Sequence, residues 1–189
     1  MIAGPNGAGK TSSARDLLQE AVGIDAFVNA DVIAQGLAGF NPASAAFDAG
    51  RITLRRVHEL ARARQDFAFE SKLAGRSAAR LLNDLIRFGY DVHIFYLWLP
   101  SPDLAVARVQ QRVEAGGHDV SEPVIRRRFW RSLVNFDRLY RPVATTWRLY
   151  DASVVGGRRL IAYGTRAQQP VLIDQAAWLR VRTRVEEIR

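Results

Sequence analysis

Residues 4–11 read GPNGAGKT, and no other stretch limits the folds open to this chain so severely. Glycines at positions 4, 7 and 9 permit backbone geometries that turn successive amide hydrogens toward a common centre. Met1 to Ala3 is apolar, and Ala14, Leu17, Leu18, Ala21 and Val22 repeat afterwards at helical spacing, so the loop joins a strand to a helix. An anion suits that arrangement, because the inward amides and the positive helix end both meet phosphate oxygens. Lys10 would reach the terminal phosphates and Thr11 would offer its hydroxyl to Mg²⁺. Pro5, Asn6, Gly7, Ala8, Gly9, Lys10, Thr11 and Ser12 are therefore the residues expected to hold ATP, with Thr11 as the metal ligand.

The chain continues as alternating strands and helices. A short strand at 26–29 leads to Asp31, a loop lies near 36–42, and a long helix follows at 43–64 with Leu54, Val57 and Ala61 inward. Next come a strand at 67–70, a helix at 77–88 with Leu82, Leu85 and Ile86 inward, and an apolar buried strand at 91–98. Helices at 102–114 and 122–140 flank the break at Gly116 and Gly117, and a fifth strand covers 147–150. Residues 151–189 read as a terminal hairpin and a helical cap. This order predicts an α/β fold, a three-layer parallel sheet with helices on both faces, in a single domain over 1–189. Gly4, Asp31 and Glu70 fall at carboxyl ends of strands, where such sheets bind ligands. The first strand is short for a central one, which points to a start codon upstream of Met1.

Composition narrows the chemistry. With no cysteine, thiol catalysis, disulfides and thiolate metal sites are excluded. The longest apolar run, 92–100, is far short of the roughly 20 residues a bilayer-spanning helix needs, and no signal-peptide core precedes it, so a cytoplasmic protein with no membrane partner is expected. The net charge of +8 favours anionic partners without choosing among nucleotide, nucleotide-sugar, nucleic acid and acidic protein. Its basic residues are almost all arginine, Lys10 and Lys72 being the only lysines, which makes a lysine inside the glycine loop more informative.

Asp31 is placed to take the proton of an attacking hydroxyl, or else to cap the helix that starts at Val32. Glu70 ends an apolar strand, where a carboxylate is costly unless it reaches a rim and binds something, or is an ordinary solvated strand end. Arg108 and Arg112 lie on one helix face, and Arg126, Arg127, Arg128 and Arg131 open the next helix, so two arginine clusters flank the glycine break as a phosphate lid would. His58 reads as helical, His93 as part of a buried strand and His118 as a loop residue beside the arginines. Neither a zinc-ligand spacing nor a GxSxG nucleophile turn is present.

Taken together, GPNGAGKT, the VNAD ending at Asp31, FES with Gly75 and Arg76, GGHDV and RRRF resemble the zeta toxin family of P-loop kinases over residues 4–150. The resemblance implies an adenylate-kinase-like fold with an arginine-rich lid. It also implies phosphorylation of the sugar hydroxyl of UDP-N-acetylglucosamine, and an antitoxin protein that blocks the ATP site. On this resemblance Lys10 and Thr11 bind ATP and Mg²⁺, Asp31 is the general base, Glu70 and Arg76 contact the nucleotide-sugar, and Arg112 is a transition-state arginine. The family's second such arginine falls near His118, which gives its task to Arg127 or Arg128. The family's threonine-rich turn after the glutamate is here Ser71, Lys72 and Leu73. Two other readings stay open: a kinase for another small molecule or a polynucleotide end, with nucleic acid the less favoured partner, and an ATP-binding regulatory module without phosphotransfer.

Overall fold

The computed structural model describes residues 1–20, 23–117, 119–154 and 157–188. In chain order its elements begin with β1 (Ile2–Ala3), α1 (Lys10–Ala14), β2 (Phe27–Val28), α2 (Ala30–Leu37), α3 (Ala46–Arg62) and β3 (Ala68–Ser71). They continue with α4 (Ser77–Arg87), β4 (His93–Trp98), α5 (Pro102–Glu114), α6 (Glu122–Asn135), β5 (Thr146–Asp151), β6 (Arg159–Thr165), β7 (Val171–Leu172) and α7 (Gln175–Glu187). Single π-helical turns extend α1 over Arg15–Glu20 and α6 over Phe136–Tyr140. The chain divides into two compact units, Met1–Ser12 with Lys72–Arg189, and Ser13–Ser71.

In the larger unit β1 runs parallel to β4, with Ile2 opposite Phe95, and β4 runs parallel to β5 from His93–Thr146 to Trp98–Asp151. The expected terminal hairpin is part of this same sheet: β6 pairs antiparallel with β5, and β7 antiparallel with β6. The sheet is therefore mixed and not parallel throughout. The cause is the short connection 152–158, because a return to parallel would need a crossover of about a dozen residues.

Aromatic side chains fill the core beneath this sheet. Tyr96 stacks on Phe136 at 4.2 Å between ring centroids, Phe136 meets Trp147 edge-on at 6.2 Å, and Trp147 stacks on Trp178 of α7 at 6.1 Å. The Tyr96 hydroxyl, fully buried, pairs with Ser132 Oγ at 3.0 Å, and burial pushes its pKa well up from the ordinary phenol value. Arg182 of α7 reaches Asp137 at 2.7 Å, so the terminal helix is fixed by an aromatic stack and an ion pair together.

His93 is exposed at the first position of β4, not buried as its apolar neighbours suggest, and its Nδ1 lies 2.8 Å from Thr146 Oγ1. Only from Ile94 onward is that strand covered on both faces.

In the smaller unit β2 and β3 are parallel, with Phe27 opposite Ala68 and Val28 opposite Phe69. Helices α2 and α3 meet through Ala34, Ala45 and Ala49, with Ile33 and Ala38 packed against them. These alanines set the inward stripe of α3, which buries Ala49, Val57, Leu60 and Ala61. Leu54, expected inward, is 47% exposed, because close contact through small residues rotates the helix away from the face that the largest side chain would choose. Among the described residues no helix is long and apolar enough to cross a membrane.

Candidate functional site

The glycine loop runs from the end of β1 into α1 and is anchored on its outer side. A Cβ at Gly4 would collide with the carbonyl oxygen of Leu97, the residue before Trp98 in β4, and one at Gly7 would lie 2.7 Å from the carbonyl oxygen of Ala105 in α5. Gly7 and Gly9 take φ of 76° and 74°, the left-handed region that side chains other than glycine's rarely adopt. A Cβ at Gly9, by contrast, would meet nothing within 4 Å. One side of the loop is thus packed against backbone while the other opens onto space.

Lys10 begins α1, is only 5% exposed, and donates from Nζ to the Pro5 carbonyl at 2.9 Å, spanning the loop it follows. Asn6 is 3% exposed and its Oδ1 is buried without a hydrogen-bond partner, an unsatisfied group of the sort that gathers at binding sites. Pro5 and Ala8 are buried, whereas Thr11 and Ser12 reach solvent. Left-handed glycines, open space at Gly9 and a buried ammonium fit a polyphosphate. Among the described residues no group of three or more His, Asp or Glu side chains could hold a metal ion. An exposed hydroxyl such as that of Thr11 is the kind of single protein donor that would suit Mg²⁺ held otherwise by phosphate oxygens and water.

Behind the loop, Arg108 of α5 donates to the carbonyls of Ala152 at 2.7 Å and Ser153 at 2.6 Å, and a longer contact of 3.4 Å reaches Gly7. Its charge is spent on tying the loop to the end of β5 and is not held out as part of a lid. Arg108→Ala should lower stability by about 2–3 kcal/mol, which for a chain of this size is roughly 5–10 °C in melting temperature. Arg108→Lys, able to serve one carbonyl at a time, should fall between. Thermal melts of the two variants check this, and a melting temperature in Arg108→Ala equal to that of the wild type would show the contacts to be incidental.

Asp31 is the second residue of α2 and does not cap it. The cap is Asn29, whose Oδ1 accepts from the backbone N–H of Asp31 at 2.9 Å and of Val32 at 3.4 Å. Asn29, 6% exposed, also donates from Nδ2 to Glu70 Oε2 at 2.9 Å. The register that sets Val28 opposite Phe69 brings Asn29 alongside Glu70, so one amide side chain holds both the Glu70 carboxylate and the backbone N–H of Asp31. The sequence signal for Asn29 was legible, as an asparagine directly before a helical stretch.

Arg76 is exposed at the N-cap position of α4, at the end of a loop that the larger unit holds firmly. Leu73 adopts φ of 50°, unusual for a branched side chain, while 2% exposed. Asn135 donates to the Leu73 carbonyl at 2.6 Å, and the Tyr140 hydroxyl donates to that of Gly75 at 2.6 Å. Nothing in the sequence marks Asn135 or Tyr140 as partners of that loop.

The arginine clusters divide in the same way. Arg126 is engaged by Asp103 at 2.7 Å and Glu122 at 2.7 Å. Arg112 lies in the last turn of α5 and is exposed, Arg127 is exposed on α6, and Arg128 is half-buried beside it. His118, near which the family's second arginine was expected, lies outside the described residues.

A family model described as AAA domain matches residues 1–139. The chain belongs to the AAA domain family. A Haemophilus influenzae protein described only as uncharacterized is 32% identical to this AAA domain over 126 residues, 67% of this chain and 88% of the relative. Among solved structures, a chain of the AvrRxo1-ORF1:-ORF2 complex with ATP superposes with a TM-score of 0.74 at 18% identity, over 95% of this chain. The chain spans 62% of that relative's length. A chain from the PezAT chromosomal toxin-antitoxin system of Streptococcus pneumoniae superposes with a TM-score of 0.63 at 16% identity, over 98% of this chain and 85% of its own. These likenesses show the fold, a P-loop α/β fold of the class the sequence motifs imply.

Proposed function

We propose that this protein is an ATP- and Mg²⁺-dependent kinase that phosphorylates a hydroxyl of a nucleotide-sugar of the UDP-N-acetylglucosamine type. The observation that carries the reading is the loop at residues 4–11, with its left-handed glycines, the open space at Gly9 and the buried Lys10 ammonium. Lys10 and the loop amides hold the phosphates, and Thr11 supplies a hydroxyl to Mg²⁺, which offsets phosphate charge when bound. Asp31 accepts the proton of the acceptor hydroxyl as its oxygen bonds to the γ-phosphorus and the bond to the departing ADP oxygen breaks. Glu70 and Arg76 contact the acceptor, and Arg112 with Arg127 or Arg128 neutralises charge on the transferred group. The tie from Asn29 to both Asp31 and Glu70 supports treating these two carboxylates as one acceptor-handling pair. A small antitoxin protein that blocks the nucleotide site is the partner this reading implies, supported by the AvrRxo1-ORF1:-ORF2 complex and the PezAT toxin-antitoxin system from which the superposed chains come.

The test is transfer of label from γ-labelled ATP with Mg²⁺ to UDP-N-acetylglucosamine beside a panel of other nucleotide-sugars. Transfer should fall by about 10²–10⁴-fold in Asp31→Ala. Undiminished transfer in that variant would remove Asp31 from the chemistry, and ATP binding with transfer to no acceptor would leave a nucleotide-binding module.

A further inference from the structure

We infer that Asn29 is a positioning residue for phosphotransfer, holding Asp31 and Glu70 in one fixed relation. This rests on the reading of Asp31 as base and Glu70 as acceptor contact. Asn29 follows β2 directly, at the point where the chain leaves the strand and enters α2. Its Oδ1 fixes the first turn of α2, and with it the backbone of Asp31, by accepting from Asp31 N at 2.9 Å and Val32 N at 3.4 Å. Its Nδ2 fixes the head of Glu70, one strand over, at 2.9 Å.

The two ends of one planar amide are therefore used in opposite senses, an acceptor for the helix and a donor for the carboxylate. Asparagine suits both tasks at once. Aspartate caps equally well but cannot donate to Glu70, and serine caps with a hydroxyl too short to span to the next strand. At 6% exposure Asn29 is shielded from competing water, so neither bond is readily replaced.

That division of labour makes the two functions separable by mutation. Asn29→Ser keeps the cap and removes the tie to Glu70. Its melting temperature should fall by about 3–6 °C, the loss of one charged hydrogen bond, while KM for UDP-N-acetylglucosamine rises about tenfold with KM for ATP unchanged. Asn29→Asp should keep the cap as well and raise the acceptor KM further, because two carboxylates then face each other. Asn29→Ala loses both bonds, so its melting temperature should fall by about 6–12 °C and kcat should drop together with the change in acceptor KM. Crystal structures of Asn29→Ser and Asn29→Ala should show Glu70 displaced in both, and Asp31 displaced only in the second.

The inference is overturned if Asn29→Ser keeps the wild-type acceptor KM, or if activity in all three variants merely follows melting temperature. Should the wild-type protein transfer nothing to UDP-N-acetylglucosamine, the proposed function fails on its own account. The two crystal structures then decide the positioning role, and an unmoved Glu70 in both overturns it.

Discussion

Gly7→Ala and Gly9→Ala should both abolish ATP binding, yet only the first should markedly destabilise the protein. Each glycine has a left-handed φ, 76° and 74°, so an alanine at either position carries a strain of about 1–2 kcal/mol. The difference lies in what the added methyl meets. At Gly7 it would sit 2.7 Å from the Ala105 carbonyl oxygen and 3.2 Å from Ala105 Cα, backbone atoms of α5 that cannot swing aside. Relieving that overlap costs about another 1–3 kcal/mol, and the sum corresponds to a loss of roughly 5–15 °C in melting temperature.

At Gly9 the methyl would project into open space, with nothing within 4 Å, so the stability loss should stop at the strain. That open space is also the side on which a polyphosphate would lie. Gly9→Ala should therefore fold almost normally and still show no thermal stabilisation by Mg·ATP. If Gly9→Ala is stabilised by ATP as the wild type is, the nucleotide does not lie on the open side of the loop at Gly9.

The contrast between these two glycines shows how far the sequence could be read. The pattern GPNGAGKT foretells left-handed turns and a phosphate loop, because only glycine tolerates those angles and the surrounding strand and helix follow from periodicity. It cannot say which glycine touches the rest of the protein, since Ala105 and Leu97 are about a hundred residues away in the chain. The same limit accounts for Arg108, whose carbonyl partners at 152 and 153 exist only after β5 has paired with β4. It accounts equally for Asn135 and Tyr140, which clasp a loop some sixty residues earlier.

Local signals were legible wherever a cap and a period agreed. Helix α5 lies at 102–114 as expected and α7, at 175–187, is the helical cap expected within 151–189, with Ser101 and Asp174 accepting from the backbone N–H groups of Leu104 and Ala177. Where two residues compete for one local role, the sequence does not choose between them. Asp31 and Asn29 are both good caps, and packing of β2 beside β3 leaves Asn29 at the strand exit. Leu54 and His93 fail for a related reason: hydrophobic periodicity identifies a face, while alanine-to-alanine contact and the strand's first exposed position decide its phase.

Replacing Lys10 should act on phosphotransfer and on the response to ATP together. The Lys10 ammonium is 5% exposed and donates to the Pro5 carbonyl. A buried ammonium at the start of the helix that follows a glycine loop is placed to meet an anion. Phosphotransfer in Lys10→Ala should fall by at least about 10²–10³-fold, the scale of losing one preorganised charge at a developing anionic transition state. The response to ligand should change in step. At ATP a hundredfold above its dissociation constant, the wild type gains about 2.7 kcal/mol, several degrees in a thermal melt, and Lys10→Ala should gain almost none. Lys10→Arg should not restore transfer, because a planar fork does not follow the path that a slim lysine stem takes across this loop to Pro5. Transfer at the wild-type rate in Lys10→Ala would mean that the buried ammonium serves the fold and not the phosphates.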